Sequence, residues 1–268
     1  DTLYMALNNY QRGDFKPYLL RSQDQGKTWT SIASNLPDRH VVWSIVEDHK
    51  QRNLLFAGTE FGLFFTVDGG LHWIQLKNGV PTSQFRDLAI QRREDDLAAA
   101  TFGRGIYVLD DYSALRYLTP QTLAREASLL PPRAAVVYNE LRHAVAAFGN
   151  FTTPNPPFGA TLSYFLGERF TRDDNRKVAL VITDAQGQPV RRIAGPTTPG
   201  LHRVQWDLRR NPESTSDNNA ESRGGRSGRQ RQSGALVEPG NYTIAVTTIV
   251  DGKETVLGET QTIRVKPL

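Results

Sequence analysis

Two octets in this sequence carry the residue types of a small polar site. Ser22-Gln-Asp24-Gln-Gly26-Lys-Thr-Trp29 and Thr66-Val-Asp68-Gly-Gly70-Leu-His-Trp73 each combine a hydroxyl, a carboxylate, a glycine and a tryptophan at identical spacing. Three chemistries fit such a set: a calcium loop, a fragment of an active site, or a tight turn. A calcium loop places oxygen ligands at alternating positions and needs more of them than these octets hold. A turn needs only what is present. Asp24 and Asp68 can accept backbone N–H groups, Gly26 and Gly70 permit a positive φ, and Trp29 and Trp73 supply apolar bulk for packing. The turn reading is therefore the expected one, with no metal and no cofactor implied.

The elements around the octets decide where they sit. Short runs rich in β-branched and aromatic residues follow one another, each bounded by Gly, Asn, Asp or Pro. They group in fours with a period of roughly 40 residues, the size of one propeller blade. Residues 41–77 form the complete group. Residues 2–33 supply strands two, three and four of the group before it, and a further group starts at Phe85. Both octets then fall between strands three and four. About two and three-quarter blades leave open sheet edges. The chain is thus expected to be the C-terminal part of a larger propeller, or one completed or covered by other chains.

Propeller geometry also points to candidate binding residues. Turns between strands two and three, and the links between blades, face the side opposite the octets. Asn8–Phe15, Gly58–Gly62 and Phe102–Gly105 lie there, which selects Asp14, Glu60 and Arg104; the links add His40 and Gln84. Glu60 could act as a general acid or a ligand contact, or be a solvated turn carboxylate. Arg104 could clamp an anion or pair across blades. Asp14 is the remaining catalytic candidate, and no confident catalytic set emerges.

After Asp111 the pattern changes. The expected organisation is blades over 1–118, a connector with a short helix and a Pro-rich stretch over 119–158, and an Ig-like sandwich over 159–268 with an Arg/Ser/Gly-rich insertion at 211–234. Strands are read in ATLSYFL, KVALVITD, VRRIA, HRVQWDL, NYTIAVTTIV and ETQTIRVKP. The formal net charge of +4 hints at nucleic acid. Yet Arg223, Arg226, Arg229 and Arg231 have no interleaved aromatic, so no base-stacking surface and no nucleic-acid partner are expected. No apolar run is long enough for a membrane span. With no cysteine, disulfides and thiolate metal sites are excluded. Asn150 and Asn241 match the glycosylation acceptor pattern.

These segments carry a resemblance. DLAAATFGRGIYVLDDYSALRYLTP resembles the closing segment of bacterial sortilin-like, BNR (Asp-box) repeat proteins, often labelled glycosyl hydrolases. LLFAGTEFGLFFTVDGGLHW is similar to their penultimate blade. PNPPFGATLSYFL, VQWDLR and PGNYTI resemble the Ig-like domain of the flagellar-hook-cap type that follows it. The resemblance implies a secreted, periplasmic or cell-surface protein with a multi-bladed propeller that binds a protein, peptide or glycan. A glycoside hydrolase of sialidase or xyloglucanase type, with its acid pair partly on other blades, is the alternative, and a subunit of a larger assembly the second. A second carboxylate about 5 to 10 Å from Glu60 would favour the hydrolase.

Overall fold

The computed structural model describes residues 1–138, 156–168, 170, 176–212 and 234–268. The Arg-rich stretch lies outside these residues apart from its ends, as does Asn150. The chain is all-β and divides into two compact units, Asp1–Thr119 and Pro120–Leu268.

Unit one holds three antiparallel blade sheets. The first is β1 (Leu3–Asn9), β2 (Asp14–Ser22) and β3 (Thr30–Ser31). The second is β4 (Val42–Glu47), β5 (Leu55–Thr59), β6 (Gly62–Thr66) and β7 (Ile74–Leu76). The third is β8 (Phe85–Gln91), β9 (Asp96–Thr101) and β10 (Ile106–Leu109). The four-strand grouping read from the sequence reappears as sheets of three, four and three strands. β5 and β6 are buried at every position; β5 packs against β8 of the third sheet, and Ala57 and Phe64 share a core with Leu19 and Ile32 of the first.

Both octets form turns at the strand ends, built by their own side chains. Ser22 Oγ accepts the Gly26 N–H at 2.8 Å, while Asp24 accepts the Thr28 N–H at 2.9 Å and its hydroxyl at 2.7 Å. Those bonds stabilise the charged form, holding the Asp24 carboxyl down at about 2. In the second turn Thr66 Oγ1 accepts the Gly70 N–H, and Asp68 accepts the N–H groups of Leu71 and His72. The second turn also forms the seam with the first sheet. Trp73 is buried among Leu19, Ile32 and Phe64, and its indole N–H donates to Ile32 O at 2.7 Å. Asn35 brackets the Trp73 backbone, accepting its N–H and donating to its carbonyl. Gly70 has φ +95°, and a Cβ there would come within 2.7 Å of Ile32 Cβ. Only glycine meets both conditions. Trp29 is half-buried and donates within its own turn, to Gly26 O.

The second and third sheets are tied by a buried charge cluster. After β10 the chain enters a 3₁₀ segment, Tyr112–Tyr117, in which Asp111 accepts the Ser113 N–H and the Tyr112 N–H donates to Asp95 O. It carries Arg116 between Asp48, after β4, and Asp95, before β9. The guanidinium donates to Asp48 at 2.8 and 2.7 Å and to Asp95 at 2.9 and 2.7 Å. Tyr112 Oη donates to Asp48 at 2.6 Å, and Lys50 Nζ reaches Asp95 at 3.1 Å. Both carboxylates are nearly inaccessible, at 1% and 3% exposure, where an unpaired charge would be very costly. Burial opposes ionisation of Asp48, but Arg116 and Tyr112 outweigh it and hold its carboxyl below the usual range. Arg116 likewise draws Asp95 down to about 2.

Unit two is a sandwich of two sheets. One has the order β11 (Ala127–Leu129), β13 (Ala160–Leu166), β16 (Gly200–Trp206). The other runs β12 (Ala135–Val137), β18 (Lys253–Pro267), β17 (Gly240–Val250), β14 (Lys177–Thr183), β15 (Pro189–Gly195). Leu162, Tyr164 and Leu166 of the first sheet share one core with Leu180, Ile182, Ile244 and Ile263 of the second. The stretch read as a connector holds a short helix, α1 (Pro120–Leu123), and contributes edge strands β11 and β12, one to each sheet. Three-residue strands leave too little alternation to read. β18 also starts earlier than the run ETQTIRVKP, because Asp251 and Gly252 take positive φ and close a hairpin onto β17.

Replacing Arg116 by Met removes the guanidinium shared by two buried carboxylates, leaving Tyr112 on Asp48 and Lys50 and His49 on Asp95, and is expected to cost about 3–5 kcal/mol in denaturant unfolding. In the native protein both carboxyl pKa values lie below their unfolded values. Their contribution is therefore present above about pH 4 and is lost as pH falls toward 2, the value for Asp95. An acid-unfolding titration should show the transition in that window, and at higher pH in Arg116→Met.

Candidate functional site

At the strand ends opposite the Arg116 cluster, the first, second and third sheets converge on an open cavity of about 230 Å³. Its lining comprises Tyr10 and Phe15 from the first sheet and its β1–β2 turn, Arg39 and Val41 from the link that follows, Trp43 and Glu60-Phe61 from the second sheet, and Gln84 and Arg86 at the start of the third. Two backbone bonds set the frame. The Glu60 N–H donates to Val41 O and the Phe102 N–H donates to Gln84 O, both at 2.9 Å, joining each β-turn to the link entering its sheet. Gly58 lets the sheets approach: a Cβ there would lie 2.6 Å from Phe85 O.

Glu60 is the hub of the polar groups. Its Oε2 accepts from the Trp43 indole N–H at 3.0 Å and from Gln84 Nε2 at 2.5 Å. Gln84 Oε1 in turn accepts from Arg86 Nε at 2.8 Å. The Arg86 guanidinium lies 3.7 Å from the Trp43 ring centroid, and Tyr10 meets that indole edge-on at 5.5 Å. A cation stacked on an indole is held electrostatically as well as by contact. On the opposite rim Arg39 stacks over Phe15 at 5.5 Å, from a backbone φ of +66° that non-glycine residues rarely take. Tyr10, Phe15 and Phe61 are exposed aromatic side chains at the mouth.

Of the residues selected from the sequence, Glu60 and Gln84 come together here. His40 stands beside them, accepting or donating at Thr59 Oγ1 (3.2 Å) and edge-on to Phe61 and Phe64. Asp14 is not part of the lining. Its carboxylate accepts from Tyr18 Oη at 2.5 Å and from the Lys16 N–H, and these bonds hold its pKa down. Arg104 is exposed in the Thr101–Gly105 turn and also lies outside the cavity. Sequence reasoning passed over Trp43 and Arg86. Both are second residues of the first strand in successive sheets, and that repeat position could have flagged them. Among the described residues no cluster of His, Cys, Asp and Glu is arranged to hold a metal ion.

No family model matches the chain, and no curated protein matches it. Solved structures similar to the chain include the following two. The extracellular domain of a putative one-component system from B. thetaiotaomicron is 14% identical with a TM-score of 0.26, covering 94% of this chain and 28% of that one. An ancestral GH74 enzyme is 13% identical with a TM-score of 0.33, covering 98% of this chain and 36% of that one. The chain thus spans about a third of the length of these proteins. No helix among the described residues is long and apolar enough to cross a membrane.

Burial lowers the His40 pKa below its ordinary value, and the nearby Glu60 charge partly opposes that shift. Glu60→Gln removes the opposing charge. The His40 ring resonance, followed by NMR, should then titrate at lower pH than in the unaltered protein.

Proposed function

We propose that this chain is part of an Asp-box propeller protein of the sortilin-like kind, secreted or held at the bacterial envelope. It binds a peptide, protein or glycan and does not cleave it. The observation that carries this reading is the state of Glu60. Its Oε2 is already engaged by Trp43 and Gln84, and among the described residues no second carboxylate lines the cavity. Most glycoside hydrolases use two carboxyl groups, about 5–5.5 Å apart for retention and about 6.5–9.5 Å apart for inversion, sialidases with a tyrosine nucleophile being an exception. An aromatic mouth over a fixed polar floor suits recognition: rigid rings give large contact area at little entropic cost.

The remaining surfaces fit an accessory role. β1 and β10 are edge strands, and Leu3, Met5, Leu7, Ile106 and Val108 on them are exposed. Such edges and apolar faces are where further blades, from the same chain or another, would pack. The sandwich, read as Ig-like, would serve as a spacer or docking module whose outer strands β12 and β15 can pair with an added strand.

Binding to peptide and glycan arrays tests this, with Trp43→Ala as the paired variant. Loss of an anchor aromatic of this kind is expected to weaken binding by at least about tenfold. Full binding by Trp43→Ala would contradict the assignment of the cavity. Release of sugar from a bound glycan, abolished in Glu60→Gln, would establish the hydrolase instead.

A further inference from the structure

The cavity carries more cationic donors than its own residues use. Among the described residues, Arg39 has no hydrogen-bond or ion-pair acceptor, and Arg86 uses only Nε, leaving both terminal nitrogens without one. Arg86 is nevertheless fixed, by Gln84 at one end and the Trp43 ring along its plane. A guanidinium held in place with its forked N–H groups directed nowhere is preorganised for a carboxylate, which it can meet through two parallel bonds. Two arginines against the single Glu60 make the lining net positive.

The other groups narrow the ligand further. Glu60 Oε1 makes no bond among the described residues, so a free acceptor sits beside the free donors. The ligand must therefore offer hydroxyl or N–H donors and an anion within one small body. A cavity of about 230 Å³ falls below the range of about 300–1,000 Å³ typical of drug-sized sites. It accommodates a single ring-sized unit more readily than a stretch of extended peptide. Tyr10, Phe15 and Phe61 are exposed aromatic rings in this lining, a side-chain type that packs against the C–H face of a pyranose. We infer that the cavity binds an acidic sugar residue of the uronic type, its carboxylate between Arg39 and Arg86 and its hydroxyls on Glu60 and Gln84. This rests on the binding reading of the same cavity.

Calorimetric titration with trigalacturonate, neutral α-1,4-galactotriose and a tripeptide bearing a free C-terminal carboxylate tests the inference. Trigalacturonate should bind at least about tenfold more tightly than the neutral trisaccharide. Arg39→Gln and Arg86→Gln should each remove most of that preference while still folding, as shown by an unchanged far-ultraviolet circular dichroism spectrum. Equal binding of the two trisaccharides would overturn the anionic specificity and leave the binding cavity standing. Tighter binding of the tripeptide would overturn the sugar in favour of a peptide terminus. Binding of none of the three would overturn the inference. The cavity itself falls only if array ligands are retained by Trp43→Ala.

Discussion

The structure of the first unit depends on one guanidinium. Arg116 lies between two nearly inaccessible carboxylates that belong to different sheets, and it satisfies both with bidentate geometry. It supplies most of the charge that balances them; Asp48 is also met by the Tyr112 hydroxyl and Asp95 by Lys50. The contact fixes the loops β4–β5 and β8–β9 against each other. It is made by the segment that replaces a further octet turn after β10, so the chain closes its third sheet with an ionic anchor instead of a repeat.

β4 runs directly from this anchor to the cavity, with Asp48 just past one end and Trp43 near the other. The same holds across the third sheet for Asp95 and the Gln84-Arg86 pair, carried by β9 and β8. Holding the sheets together at one end, with the Gly58 approach to Phe85 at the other, sets the distance at which Trp43 and Arg86 stack and Glu60 meets Gln84. On the far side of the second sheet, the seam of Trp73, Ile32 and Asn35 does the equivalent for the first sheet, which supplies Tyr10 and Phe15. The cavity is thus a product of how sheets pack, with each sheet contributing residues that have no function alone.

That dependence explains what could be read from sequence. The all-β class, the three sheets and the octet turns were legible because they rest on local signals: alternating apolar runs, glycine at positive φ, and Ser/Thr-x-Asp hydrogen bonding within a few residues. Glu60 and Gln84 followed from repeat geometry, since turn and link positions are fixed once the blades are aligned. Asp14 shows the limit of that reasoning. Its position was right for a rim, but Tyr18, four residues on in the same strand, captures its carboxylate. Arg116 was invisible because its partners lie 68 and 21 residues away, and nothing in SALRYL marks the arginine as buried. Trp43 and Arg86 were passed over as ordinary strand residues. Their pairing is between sheets, where periodicity within one strand says nothing. In the second unit, β11 and β12 escaped because three residues in an otherwise irregular stretch carry no period.

The most direct test is backbone hydrogen exchange at Glu60 and Phe102, whose N–H groups close the cavity frame, comparing the unaltered protein with Arg116→Lys. Lysine keeps the charge but cannot hold two carboxylates bidentately. If the anchor sets the spacing of the sheets, both amides at the distant cavity end should exchange faster in the variant, while amides in the sandwich unit stay unchanged. Unaltered protection at Glu60 and Phe102, with faster exchange confined to the loops around Asp48 and Asp95, would contradict it.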